Sequence, residues 1–245
     1  MWNLKSLKFL KFLKFEVMNN RDFSVHPPHL YPDYKSTILR APTRPLMPVK
    51  EYLRQLKMPV YGASVVDKLD NDLTKNGQKN GAPIGERIKV FGKVTDEYGR
   101  GIPNMLIEIW QANSAGRYIH KLEIHDAPLD PNFLGGGRTI SDNCGDYSFY
   151  TIKPGAYPWG NHYNAWRPNH IHFSLIGAHL EQRLVTQMYF PGDPLFEFDP
   201  IFQGTPEDAR PLLISKFSID KTEAEFALAY EFNIVLNGKN PTLFE

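Results

Sequence analysis

Two histidines spaced His-x-His, at 170 and 172, close the run GAYPWGNHYNAWRPNHIHF (residues 155–173) and are the residues whose type and spacing most directly imply chemistry. In a strand, side chains i and i+2 share a face, so both imidazoles project the same way, about 7 Å apart along the chain. Two such groups can converge on one ion. The pair alone is a weak sign, because solvated strand faces carry it too. No Asp or Glu lies within the run, so the two-histidine, one-carboxylate pattern of ferrous oxygenases is not visible there. The nearest hard-oxygen donors are phenols: Tyr157, thirteen residues before His170, and Tyr118, which follows WQANSAGR. A phenol with a pKa of about 10 ligates well only where a highly charged cation displaces its proton. Ferric iron meets that need. Fe(III) with two tyrosinates, two neutral histidines and one hydroxide is formally neutral and therefore carries little burial penalty. For either tyrosine taken singly, a core position with its hydroxyl on a backbone carbonyl is the commoner arrangement.

Donors of this kind need rigid elements to hold them. From Gly85 onward, RIKVFGKVTDEYGRGIPNMLIEIW alternates apolar and polar residues on both sides of a DEYG turn, which predicts paired half-buried strands. DYSFYTI, HIHFSLIG, RLVTQMYF and AYEFNIVLNG repeat the pattern with Gly, Pro and Asn between them. Several short strands and few helical windows predict an all-β fold, a two-sheet β-sandwich over residues 85–245. More than thirty residues separate LIEIW from DYSFY. A connection that long in a compact domain is functional or disordered, and its aromatic, His and Pro content speaks against disorder.

Residues 18–84 are rich in Pro and turn formers, with one short helical window, VKEYLRQLKM. They predict an extended, mostly irregular N-terminal arm that docks on the core or on a partner chain through Tyr31, Tyr34, Ile38 and Leu39. Residues 1–17 are expected to be a loose extension, with Met18 as the functional start. Their lysines at 5, 8, 11 and 14 interrupt any signal core, and a period of three spreads them over half a helix circumference. No run of about 20 apolar residues is present to span a membrane. The composition, 42% hydrophobic and 22% charged, is enough to bury a core. A net charge of +1 argues against nucleic acid, which wants a clustered basic excess. The single Cys144 excludes an internal disulfide and a cysteine-built zinc site, and fits a reducing, cytoplasmic compartment.

GERIKVFGKVTDEYGRGIPNMLIEIWQANSAGRY, LDPNF, TIKPGAYPW, WRPNHIHF and TQMYFPGDPL, in this order and spacing, resemble the intradiol ring-cleavage dioxygenase family. The likeness is to the iron-bearing β type of its two-chain branch, which acts on 3,4-dihydroxybenzoate. It covers 85–245 nearly continuously, and YPDYKSTILRAP extends it into the arm. The resemblance implies a β-sandwich and one non-haem Fe(III) per chain, held by Tyr118, Tyr157, His170 and His172. It also implies a homologous α chain that completes the active site in a higher-order oligomer, and opening of the ring by O2 between its two hydroxyl-bearing carbons. By the same likeness Tyr157 gives way to the substrate, it or the hydroxide helps take the substrate's protons, and Arg167 stabilises charge shifting onto the ring. Trp159 walls the pocket, Gln187 and Tyr189 support substrate binding, and Tyr34 meets the substrate carboxylate.

Some positions depart from the family pattern. Gly160 stands where the family often has a long residue, while His162 and Tyr163 in GNHYNAW, and the segment RYIHKLEIHDAP, also differ. These bear on substrate choice before they bear on iron. Catechol or hydroxyquinol cleavage is the nearer alternative, disfavoured by the arm and PDYK. A transthyretin-like, non-catalytic binding sandwich is the rival from another class. GKVTDEYGRGIPNMLIEIW and GDYSFYTIKPG suit it, but it has no reason to carry the four donors.

Overall fold

Among the described residues the strands are β1 (Arg87–Thr95), β2 (Leu106–Trp110), β3 (Gly136–Ile140), β4 (Asp146–Ile152), β5 (Tyr157–Pro158), β6 (Trp166–Arg167), β7 (His170–Ile176), β8 (Arg183–Tyr189), β9 (Lys216–Glu223), β10 (Ala227–Glu231) and β11 (Ile234–Val235). The computed structural model describes residues 21–45, 53, 56–57, 66–121, 123, 125–160, 164–179 and 182–244. The expected extension 1–17, most of the helical window at 49–58, and His162 and Tyr163 lie outside these.

Strand β1 organises one sheet: β4 pairs antiparallel on one edge, and β10 and β11 run parallel along the other. Strand β9 closes that side as an edge strand against β10. The second sheet is antiparallel, in the order β3-β2-β7-β8. Alternation explains why the two sheets pack. Ile88, Val90 and Val94 of β1 and Phe149 of β4 meet Ile107, Ile109, Ile171, Phe173, Leu175, Leu184 and Met188 from the other sheet in one core. The all-β sandwich expectation therefore holds.

The expected pairing of the two strands around DEYG does not. The chain begins a hairpin, with a Thr95–Gly101 bridge and Ile102 N–H donating to the Val94 carbonyl at 2.9 Å. Pro103 then has no N–H to continue the ladder. Asn104 takes a left-handed φ of 57° and donates to the Ser141 carbonyl, while Met105 N–H donates to Ser141 Oγ. The chain thus crosses to the opposite sheet, where β2 pairs with β3 and β7.

Of the expected anchors in the arm, Tyr31 packs against Gly204 and Tyr34 against Trp159. Ile38 and Leu39, in the helical turn Thr37–Arg40, are 63% and 91% exposed and do not dock on this chain. The start of the arm is latched to the chain's end. Arg21 donates to the carbonyls of Thr242 and Leu236 and lies 4.5 Å over the Phe244 ring. Asp22 N–H donates to the Gly238 carbonyl, and Phe244 N–H donates to His26 Nδ1. Among the described residues no helix is long and apolar enough to cross a membrane.

Burial, then the positive charge of Arg21, pushes the His26 imidazole down from 6.5 to about 4, with Asp22 opposing and His29 adding slightly. Between those values the unfolded chain binds the proton and the folded chain does not. The latch's contribution is therefore complete above pH 6.5 and is lost as pH falls toward 4. Thermal melts from pH 7.5 to 4.5 should show a steeper acid-side loss of Tm in the parent than in His26→Gln; parallel curves would contradict this.

Candidate metal centre

Strand register sets the site. With Ile171, Phe173 and Leu175 in the core, His170 and His172 point to the outer face of the second sheet, where connections after β2, β4 and β8 bury them. His172 lies opposite Trp110 on one side and Gln187 on the other; His170 lies opposite Tyr189. The Trp110 indole stacks on the His172 ring at 4.8 Å and 5°. His170 Nδ1 donates to the Pro168 carbonyl at 2.6 Å, so Nε2 keeps its lone pair, and Nε2 stands 3.5 Å from Tyr157 Oη. The two imidazole rings are 4.9 Å apart.

The phenols arrive from two connections. Tyr157 sits in the short ribbon β5–β6, directly across from Arg167. Tyr118 comes from the long connection after β2. Its ring meets Tyr157 edge-on at 5.5 Å and lies 6.4 Å from His172. Asn113 shapes that loop: its Oδ1 accepts from Ala115 and Arg117 N–H, and its carbonyl accepts from Gly116 and Gly155 N–H. Gly116 has φ +79°, and a Cβ there would sit 2.2 Å from the Ala156 carbonyl oxygen. Only glycine lets the SAGRY loop lie this close to KPGAY, so the approach of Tyr118 to Tyr157 depends on it.

Arg167, only 4% exposed, is held from behind. Its Nε donates to Asp199 Oδ2 at 3.2 Å, and one Nη donates to Gln187 Oε1 and to the Tyr189 hydroxyl. The guanidinium lies 5.6 Å over the Trp159 ring, and Tyr34 packs on that indole at 5.2 Å. Burial opposes the charge on Arg167, but Asp199, followed by Tyr189, Tyr157 and Tyr118, outweighs it and holds the guanidinium firmly protonated. Burial, then Arg167 and His172, pushes His170 well below the ordinary imidazole range, so it stays neutral. Burial raises the Tyr157 phenol, and Arg167 partly pulls it back.

Two imidazoles, one of them kept neutral, and two adjoining phenols that yield protons only to strong positive charge fit a highly charged, hard cation. Among the described residues the three-member clusters of His, Cys, Asp or Glu at ligand spacing reduce to Asp142, Cys144 and Asp146, which are exposed. That cluster is a turn: Asp142 Oδ1 accepts from the Cys144 and Asp146 N–H groups.

A cavity of about 1090 Å³ opens over the site, lined by Tyr34, Trp110, Tyr118, Tyr157, Trp159 and Arg167, among others. Gly160 also lines it, and a Cβ there would meet nothing within 4 Å. Gln187 and Tyr189 do not line this cavity. They line a smaller one of about 420 Å³ under the arm and are tied to the larger one by their hydrogen bonds to Arg167. Sequence reasoning missed Trp110 and Asp199. Trp110 could have been found by continuing the alternation of LIEIW to its last residue. Asp199, in the turn-rich DPLFEFDP, carried no signal of its own.

The chain is thus an all-β sandwich with an aromatic and imidazole site on the outer face of its antiparallel sheet. The family described as Dioxygenase matches residues 56–238, and that described as Protocatechuate 3,4-dioxygenase beta subunit N terminal matches 20–52. The chain belongs to the intradiol dioxygenase family. The protocatechuate 3,4-dioxygenase β chain of Burkholderia cepacia is 62% identical over 229 residues, 94% of this chain and 97% of that one. The protocatechuate 3,4-dioxygenase α chain of Pseudomonas putida is 28% identical over 178 residues, 71% of this chain and 83% of that one. The solved catechol 1,2-dioxygenase of Acinetobacter sp. ADP1 matches in fold with a TM-score of 0.52 at 20% identity, over 97% of this chain and 84% of that one.

Gly116→Ala should cost roughly 1–3 kcal/mol from overpacking and backbone strain. Urea denaturation checks this, and a variant as stable as the parent would contradict the close loop contact.

Proposed function

We propose that this chain is the iron-bearing β subunit of a protocatechuate 3,4-dioxygenase, opening 3,4-dihydroxybenzoate with O2 to 3-carboxy-cis,cis-muconate. The observation that carries the reading is the meeting of Tyr118, Tyr157, His170 and His172 beneath one cavity, with His170 Nε2 3.5 Å from Tyr157 Oη. Near full-length likeness to a β chain supports the acid substrate. Fe(III) held by these four residues would supply Lewis acidity and a template for the catechol and O2.

The chain's own groups divide the remaining work. His170 and His172 enter as nitrogen donors, the first oriented by its bond to the Pro168 carbonyl. Tyr157 Oη, beside the cavity and next to Arg167, would be held as the phenolate when the metal is bound, and in that form would take a proton from a substrate hydroxyl to become the neutral phenol. Arg167 presents a fixed positive charge where negative charge grows on the ring. Trp159 and Trp110 form aromatic walls. Tyr34 donates to the substrate carboxylate, and the Arg40 guanidinium, 4.9 Å over the Tyr34 ring, adds positive charge on that side. Gln187 and Tyr189 serve the substrate by fixing Arg167.

An α chain is the partner, closing a cavity whose rim carries the exposed apolar residues Ile119, Leu134 and Trp166. The exposed free thiol of Cys144 accords with a cytoplasmic setting.

The iron-loaded α/β protein should be reddish, because tyrosinate bound to Fe(III) gives a visible charge-transfer band. Tyr118→Phe should lose or shift that band, and His172→Ala should lose iron; colourless, iron-free protein active on catechols would contradict the reading. Tyr34→Phe should raise KM for 3,4-dihydroxybenzoate roughly 10-fold or more, the scale of a hydrogen bond to a charged group. Steady-state kinetics should show a much smaller change for unsubstituted catechol, and equal changes for both would remove Tyr34 from carboxylate recognition.

A further inference from the structure

Asp199 is completely buried, at 0% exposure, in a wall of the site that sequence patterns leave unassigned. It ends the 3-10 turn Pro194–Phe198 and caps the helical turn Pro200–Gly204. Its two oxygens are divided. Oδ1 accepts from Ile201 N–H at 3.0 Å, which is the cap. Oδ2 accepts from Arg167 Nε at 3.2 Å and from the Tyr189 hydroxyl at 3.2 Å.

We propose that Asp199 is the positioning residue for Arg167, setting the plane of the guanidinium and balancing its charge so that the cation can stay buried beside the donor quartet. The inference rests on the reading of Arg167 given above. A guanidinium is a rigid planar fork, so anchoring Nε to Asp199 and one Nη to Gln187 and Tyr189 fixes both its plane and its rotation. Its remaining freedom is closed by the Trp159 ring. The charge argument is independent of the geometric one. An unpaired buried cation draws in water and rearranges, and Arg167, 4% exposed, sits directly across the ribbon from Tyr157. Asp199 is the carboxylate in direct contact with Arg167.

Asp199→Asn separates the two duties of the carboxylate. The amide oxygen can still cap Ile201 N–H, but the NH2 then faces the donors Arg167 Nε–H and Tyr189 O–H. In the α/β holoenzyme, Asp199→Asn should keep its iron content and visible absorption and lose on the order of 10²-fold in kcat, with a smaller change in KM. That is the scale expected when a group is displaced by about 1 Å. Arg167→Gln should lose a comparable factor, and the double variant should resemble either single variant rather than their product.

Wild-type kcat in Asp199→Asn while Arg167→Gln is impaired, or losses that multiply, would overturn the proposal and leave the Arg167 reading intact. Wild-type kcat in Arg167→Gln would sink that reading and the proposal with it. If Asp199→Asn does not fold, recovery of folded protein in Asp199→Asn/Arg167→Met would support charge balance as its role. Failure to recover would show that the fold needs the Asp199 carboxylate whether or not Arg167 is charged, and would overturn the proposal.

Discussion

The site depends on one steric constraint, the alternation of side chains along β7. Ile171, Phe173 and Leu175 are required by the core between the sheets, so His170 and His172 must face outward. A slip of one residue would drive both imidazoles into that core and expose three apolar residues. Pairing on both sides then determines the neighbours: Trp110 and Gln187 flank His172, and Tyr189 flanks His170. The outer face of this sheet is covered by connections rather than by water, and those connections carry Tyr118, Tyr157 and Arg167.

Burying so many polar groups sets the second condition, which is electrical balance. Arg167 is offset by Asp199, His170 stays neutral, and the Tyr157 phenol resists ionisation until a strong cation arrives. The donor set is thus poised for high positive charge and unsuited to a soft or weakly charged ion. In the proposed enzyme, a ferric ion answers that poise, and a catechol takes up the large cavity above it.

Much of this was readable in the residues themselves. Alternation in RIKVFGKVT, DYSFYTI, HIHFSLI and RLVTQMY marks strands that the structure contains, and the His-x-His pair and two phenols are side chains that the fold brings next to one another. Alternation reports which face is buried, not which strand lies alongside, so the separation of β1 and β2 into opposite sheets was invisible. Strand β3 begins with two glycines and shows no period, and β9 is an exposed edge whose pattern is mostly solvent-facing. Asp199 was hidden for a different reason: an Asp before Pro has the character of a turn, and its ion pair joins residues thirty-two apart. Ile38 and Leu39 look like anchors by type, yet on this chain they face outward.

The account stands on two phenol oxygens and two imidazole nitrogens sharing one trivalent iron. The most direct measurement is anomalous scattering from crystals of the α/β protein, collected above and below the iron absorption edge. A single iron peak per chain, in bonding contact with Tyr118, Tyr157, His170 and His172, is the predicted result. An iron peak elsewhere, or one bonded to only the two histidines with both tyrosines turned away, would contradict it.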